Sequence, residues 1–373
     1  PAEINYDFAA PSVNVGLASL MVDGEAIDAK GEIALSDLDG QYVVSQGDMT
    51  QVSSVMAASR MLITAAANEP GGSGTFAMNL DYADITGSSN GSLMAMADPA
   101  AISKALAAGM STASTLGHGA ASFALDFMDG SDTFNLDGTA DSGAIKISMN
   151  ADALSYGVSN TGLDIKFSGS EIPLPEVAFA VGEIGTSFLM PVAPSDTPGD
   201  FGLGFTLRDL TVSDMIWGMV DAGRQLPHDP ATLVIDLSGK ANWLIDIFDP
   251  ENAEKMDMEM PAELHALDIN AMQLSIAGAE LTGNGAFTFN MKDLSTFDGM
   301  PAPTGAIDLK LVGGNGLIDK LIAMGLLPEE QAMGARMMLG LFARPGDGPD
   351  TLTSKIEVDG ATGAVSANGQ RLQ

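Results

Sequence analysis

The chain has 373 residues, 46% hydrophobic and only 17% charged, which is enough apolar material for a large core and excludes an intrinsically disordered chain. Its net charge of −33, from 49 acidic against 16 basic residues, excludes nucleic acid and disfavours anionic headgroups, since both need clustered Lys and Arg. Without cysteine there is no disulfide, thiolate metal site or cysteine nucleophile.

The 43 glycines among short alternating segments point to a β-rich fold with many turns. Residues 4–45 alternate apolar and polar, with VDGEA and LDGQY as turn signals between strands. Residues 49–68 fit helical spacing at Val52, Val55, Met56 and Ser59, but also strand alternation from Val55 to Ile63. The following NEPGGSG and TFAMNLDYADITG decide for a strand and a long hairpin. Then comes a helix, with Asp98 as N-cap, Pro99 in its first turn and Ile102, Ala105, Leu106 and Met110 as its apolar stripe. ASFALDFMDG returns as a strand.

Residues 129–200 read as further strands. FGLGFTLRDL leads into a second helix, TVSDMIWGMVDAG, capped by Thr211 with Asp214 three residues on and ended by Gly223 and Pro227. The polar stretch 249–262 reads as a surface loop or short helix. Residues 263–300 are strands again, with AG and TGNG as hairpin turns. The last unit is GAIDLKLV, a GGNG turn, a pair of helices and two closing strands. Helices beginning near Pro99, Val212 and Leu317, at roughly 105–115-residue spacing, suggest a repeat. The predicted fold is mainly β (α+β), with long antiparallel curved sheets built from about three strand–helix–strand units, bounded at 1–128, 129–248 and 249–373.

Several local patterns invite chemistry. GSSNG around Ser89 has the spacing of a nucleophile elbow, but no helix follows directly, so it reads as a turn. His118, His228 and His265 are scattered and read as surface or loop histidines rather than zinc ligands. Asp137, Thr139 and Asp141 in DGSDTFNLDGTADSG have alternate spacing, yet Ser148 stands where a calcium loop needs its glutamate, so solvated turns are expected. GGNG at Gly313–Gly316 reads as a strand-to-helix turn rather than an anion site. The 23 methionines matter more. Met215, Trp217 and Met219 in the second helix, and Leu321, Met333, Met337, Met338 and Phe342 in the closing pair, are the candidate lining of an adaptable apolar groove; the plainer reading is helix-on-sheet packing.

The runs FTLRDLTVSDMIWGMVDAGRQLPHDPATLVIDLSGKA, AGAELTGNGAFTFNMKDLSTFDGMPAPTGAIDLKLVGGNGLIDKLIAMGLLPEEQAMGARMMLGLF and DTLTSKIEVDGATGAVSANGQRL resemble domain-of-unknown-function family 2125 of Gram-negative envelope proteins. The resemblance is long over 150–373 and looser over 1–149. It implies an exported protein, periplasmic or extracellular, whose signal peptide and N-terminal part precede Pro1, and it brings no catalytic residues. The closing ANGQRL also looks like the ends of envelope β-proteins with lipid-related roles. No run of about 18 apolar residues occurs, so no transmembrane segment is expected. The expected function is therefore non-enzymatic binding of lipid or another apolar ligand in a β-groove, with no metal and no cofactor. A self-assembling structural protein is the alternative, and a hydrolase the weakest one.

Overall fold

The structure, a computed structural model, describes residues 2–17, 20–22, 25–94, 102–252, 254–255 and 261–372. Its twenty strands form one antiparallel sheet. The N-terminal strands are β1 (Glu3–Gly16), β2 (Leu20–Val22), β3 (Glu25–Gln46), β4 (Thr50–Asn68), β5 (Thr75–Leu93), β6 (Ser111–His118), β7 (Ala121–Asp129), β8 (Asp132–Ala140) and β9 (Ser142–Met149). The central ones are β10 (Ala153–Gly169), β11 (Val177–Pro191), β12 (Gly199–Val212), β13 (Ala231–Trp243), β14 (Ala262–Ile276), β15 (Ala279–Asn290) and β16 (Ala302–Val312). Four short ones close the chain: β17 (Arg344–Pro345), β18 (Thr351–Asp359), β19 (Ala364–Ala367) and β20 (Gln370–Arg371).

Nearly every strand pairs with its sequence neighbour. β1 and β2 both lie on β3, and β3, β4 and β5 follow side by side. β5 then pairs with β6 along one half and β7 along the other; β9 and β8 continue those halves and both meet β10. From β10 the sheet runs through to β16, β18, β19 and β20. It passes without interruption through residues 128/129 and 248/249, where β7 pairs with β8 and β13 with β14. The stretch 49–68 is a strand throughout.

Three strand–helix–strand excursions leave the sheet. Helix α1 (Ile102–Ala107) joins β5 to β6 at the end that we call upper. Helix α2 (Asp214–Val220) joins β12 to β13 at the lower end. Helices α3 (Gly314–Ala323) and α4 (Glu329–Phe342) follow β16, also at the lower end. The expected Asp98 cap and Pro99 first turn lie outside the described residues, as does part of 249–262, whose described start holds a short 3-10 turn at Pro250–Asn252. Ser103 Oγ donates to Asp246 Oδ1 at 2.7 Å. That bond joins the excursion after β5 to the one after β13, strands roughly 30 Å apart across a flat sheet, so α1 reaches over the upper end.

Several glycine turns expected from the sequence lie inside strands instead. LDGQY is within β3, GSSNG within β5, the Asp137–Gly138 pair within β8 and TGNG within β15. The reason is cross-strand packing. Phe8 lies directly opposite Gly40, Phe123 opposite Gly138, Phe201 opposite Gly239 and Leu309 opposite Gly283. In each pair the large side chain occupies the place of the missing Cβ, which would come within 2.2–2.7 Å of it. These glycines are present to seat a neighbour, not to turn the chain. Tight hairpin turns lie instead at residues 130–131 and at Ala277–Gly278, both of which have positive φ at one residue or more. Thr211 is also in a strand, paired with Ala180; α2 begins at Asp214 after Ser213.

A line of irregularities crosses β3 to β12 at one level. Asp37, Asp84, Gly162 and Asp209 have φ of 49°, 51°, 60° and 55°. Each lies inside a continuous strand whose apolar alternation changes parity there, and at Asp209 the register with the next strand shifts as well, as at a bulge. In β3 the apolar positions are Ile33 and Leu35 before Asp37, then Leu38 and Tyr42 after it. The partner strand supplies a small residue at the same level. Ser59 Oγ donates to Asp37 Oδ2 at 2.8 Å. A Cβ at Gly119 would lie 3.0 Å from Asp84 Oδ2, and one at Gly182 3.0 Å from Asp209 Oδ2. Asp tolerates this left-handed backbone where β-branched residues do not. The result is a crease along which the sheet bends.

Candidate functional site

Directly opposed residues in an antiparallel pair point to the same face, so the register assigns a face to every strand residue. One row runs Tyr6, Tyr42, Ser54, Ser89, Ser114, Ile147, Tyr156, Phe188, Leu203, Leu237 and Ile269. It continues through Gly285, Ile307 and Ile356. Beyond the crease a parallel row runs Val15, Ile33, Ile63, Leu80, Phe123, Gly138, Ile165, Phe179 and Val212. Because each bulge shifts the alternation by one, the two halves of every strand keep their apolar residues on one face.

The charges are on the other face. Lys30, Arg60, Lys146 and Lys166 lie there in the first half, and Arg208, Lys240, Lys310 and Lys355 in the second. Four of them sit opposite carboxylates: Lys166 opposite Asp137, Arg208 opposite Glu183, Lys240 opposite Asp200 and Lys355 opposite Asp308. The Lys240 Nζ–Asp200 Oδ1 distance is 2.7 Å and the Arg208 Nε–Glu183 Oε2 distance 3.3 Å. Asp137 is thus a strand residue facing a lysine, not part of a carboxylate loop. A hollow of about 1090 Å³ between Asn270, Asn284, Asp308, Lys310 and Lys355 is on this charged face.

The apolar face is buried in part. Ala58, Ile85, Ala121, Ala140 and Val181 flank the crease on that face, and all are buried. A sheet in one layer buries side chains so fully only where it folds toward them. Small alanines make the fold possible, and away from it the same face opens to solvent: Leu203 is 50% exposed, Leu116 48%, Ile147 43% and Tyr6 54%. The candidate site is this apolar face, which we call the trough: buried side chains along the crease, flanked by half-exposed aliphatic and aromatic ones. The rings of Tyr156 and Phe188 stack at 5.5 Å, and Phe167 contacts both Phe134 and Phe179.

Helices α3 and α4 fold over the lower end of this trough. Gly314, buried, lies against Leu311 on the apolar face. Ser354, also on that face opposite Leu309, donates its Oγ to the Phe342 carbonyl at 2.5 Å, and Asn368 Nδ2 donates to the same oxygen at 2.9 Å. The helix pair is held from below by Asp350, whose carboxylate accepts from the backbone N–H groups of Asn315 and Gly316 and from the Asn315 amide. Burial opposes its charge, but these hydrogen bonds together hold the carboxyl below the usual range. The GGNG turn, with Gly313 at φ 74°, thus has its helix-start amides already satisfied by Asp350.

The expected lining residues divide accordingly. Leu321 and Phe342 are half-buried, whereas Met333, Met337 and Met338 lie on the outer side of α4 and are exposed, the first two at 71% and 69%. Met215 and Met219 of α2 are exposed as well. Trp217 stacks on His228, with ring centroids 4.3 Å apart and planes 8° apart. α2 and the α3–α4 pair stand at the same end of the sheet without forming one groove. The large apolar trough of the strands, with Tyr156, Phe188 and Leu203 in its wall, is what the sequence reading missed. Its signal was present in the apolar alternation, which changes parity midway along β1, β3, β4, β5, β10, β11 and β12.

The remaining candidates fall away from any chemistry. Ser89 is in mid-strand with its Oγ 2.9 Å from that of Ser114. His118 Nδ1 contacts the Gly119 carbonyl, His228 lies 3.7 Å from Asp221, and His265 Nε2 is 2.6 Å from Asn242 Oδ1. Among the described residues no three His, Cys, Asp or Glu side chains come together to hold a metal ion.

Fold and site define a class: a one-sheet β protein with one apolar and one charged face. The chain belongs to the DUF2125 family, described as an uncharacterized protein conserved in bacteria, which matches residues 120–372. The match takes in the strands from β7 onward and all of α2, α3 and α4, beginning some way before the 150–373 span that carries the sequence resemblance. No curated protein and no solved structure matches the chain. No helix among the described residues is long and apolar enough to cross a membrane.

Proposed function

We propose that this is a non-enzymatic protein that holds the acyl chains of lipids, or a ligand of like shape, along the apolar trough. The observation that carries the reading is the complete sorting of the strand cations to one face while half-exposed Leu, Ile, Phe and Tyr line the other. Apolar surface left in water costs about 25 cal/mol per Å², so a face this broad favours an apolar occupant. The likeness to envelope proteins supports an exported, periplasmic or extracellular location, which cell fractionation tests. Mass spectrometry of organic extracts tests the ligand. Purified protein is expected to carry lipid in stoichiometric amount, and Leu203→Glu, in the half-exposed wall, is expected to carry several-fold less. Protein free of lipid would sink the reading.

Assembly through a sheet edge is the second reading. β1 offers 14 residues whose outer side meets no strand among the described residues, while the opposite edge ends in the short strands β19 and β20. A long bare edge is a template for another strand. Sedimentation as a monomer at high concentration would rule this out.

A further inference from the structure

The lower end of the sheet carries a belt of exposed apolar side chains. Met333, Met337 and Leu341 form a stripe on the outer side of α4, at a spacing that keeps them on one helix face. Met215 and Met219 of α2 and Ile276 at the end of β14 add to it. These elements touch. Pro227, in the loop after α2, packs on Gly278, and Gly313, at the start of α3, packs on the Gly278 carbonyl. The stripe belongs to none of the packing already described: α4 buries Ala332 and joins the trough through the Phe342 carbonyl, leaving its methionines outward.

We propose that this belt rests on the surface of an electrically neutral lipid bilayer, with α4 lying in the interface plane. Three observations choose that occupant. The stripe is apolar and adaptable, and α4, about 21 Å long, is too short to span but long enough to lie in the headgroup–acyl boundary. Glu329 and Glu330 open the helix, and Arg336 is bonded to Asp319. A chain of net charge −33 is repelled by anionic headgroups and meets no such barrier at zwitterionic ones. Finally, the belt is continuous with the trough, because the end of α4 is bonded to Ser354 on the trough face. A bilayer seated there would touch the mouth of the groove, so acyl chains would pass between them without crossing water.

This rests on the lipid reading of the trough, and the two are tested apart: lipid extracted from purified protein reports on the trough without any vesicle. For the belt, the full chain is floated with vesicles of phosphatidylcholine alone and of a phosphatidylcholine–phosphatidylglycerol mixture. Flotation is expected with the first and is expected to weaken with the second. The double variant Met333→Glu and Met337→Glu should float at least roughly tenfold less, given the burial lost by two methionines, while still carrying extractable lipid. As the native chain lacks cysteine, Met337→Cys can be labelled with an environment-sensitive dye, with Ser88→Cys on the charged face as control. Only the dye at 337 should shift to the blue on adding phosphatidylcholine vesicles. The proposal is overturned if that dye does not shift, or if the glutamates leave flotation unchanged. It is equally overturned if the wild type sediments as a dimer that the glutamates convert to monomer, since the belt would then cover a second copy.

Discussion

Phe201 lies directly across from Gly239, and its ring fills the space where a Cβ on Gly239 would stand, 2.5 Å away. The same Cβ would lie 2.0 Å from the Ala266 carbonyl, so the site is closed by backbone as well. Gly239→Ala is therefore expected to destabilise by about 2–3 kcal/mol through overpacking. Gly334 in α4 is the contrast: a Cβ there meets nothing within 4 Å, and Gly334→Ala should stabilise by up to about 1 kcal/mol through helix propensity. Urea unfolding of both variants checks the pair of opposite signs.

The crease gives a second prediction. Asp84 has φ 51°, a conformation Gly adopts freely and a β-branched residue does not. Asp84→Gly should change stability by less than about 0.5 kcal/mol, and Asp84→Val should cost about 1–3 kcal/mol. If Val were as well tolerated as Gly in a melting experiment, the backbone at the crease would not be under this constraint. Loss of the bend should also open the trough, seen as increased binding of a hydrophobic dye by the Val variant.

Acid should act through the turn carboxylates. Asp221 accepts hydrogen bonds from the N–H groups of Gln225 and Leu226, at 2.9 and 2.7 Å. The Gln225 N–H holds its carboxyl below the usual range against the opposing effect of burial, helped by Leu226 and His228. Asp350, at the start of α3, is also lowered. A carboxyl lowered on folding stabilises the fold above its unfolded value, about 3.9, and that contribution disappears as pH falls through the folded value. Stability is expected to hold from neutral pH down to about pH 4 and to fall below it. Asp221→Asn and Asp350→Asn should each lower the melting temperature at pH 7 and flatten the acid limb; an unchanged limb in both would count against this account.

The charge itself gives a fourth. With 49 acidic and 16 basic residues, the outer face repels itself, and salt screens that repulsion over a Debye length of about 10 Å at 0.1 M. Sodium chloride raised from low to molar concentration should increase the melting temperature. Exposed pairs such as Lys240–Asp200 contribute at most about 1 kcal/mol each, so their screening should not reverse the trend. A melting temperature that falls with salt would mean that the pairs outweigh the net repulsion.

Much of the fold was legible in the chain. The alternation that makes β4 and β5 a long hairpin and the apolar spacing of the C-terminal helices are local patterns, and local patterns survive without knowledge of neighbours. The strand glycines were not legible in the same way. Gly40, Gly138 and Gly283 look like turn residues because Asp-Gly and Gly-Asn usually are, and only the residue across the ladder shows their purpose. Nor was the trough legible, since it depends on which strand meets which and at what register. Met333 and Met337 are expected in a groove wall, whereas the structure leaves them exposed on α4, whose last residue is bonded to Ser354 and Asn368.

The sequence by itself determined that this protein is mainly β, strongly acidic and a member of its family, because composition and periodicity are written residue by residue. The tertiary structure alone decided that the strands share one sheet, that the positive-φ residues Asp37, Asp84, Gly162 and Asp209 align at one level, and that the apolar residues therefore share a single face. Those outcomes rest on backbone hydrogen bonds between residues distant in sequence, whose register is chosen by how well whole faces fit.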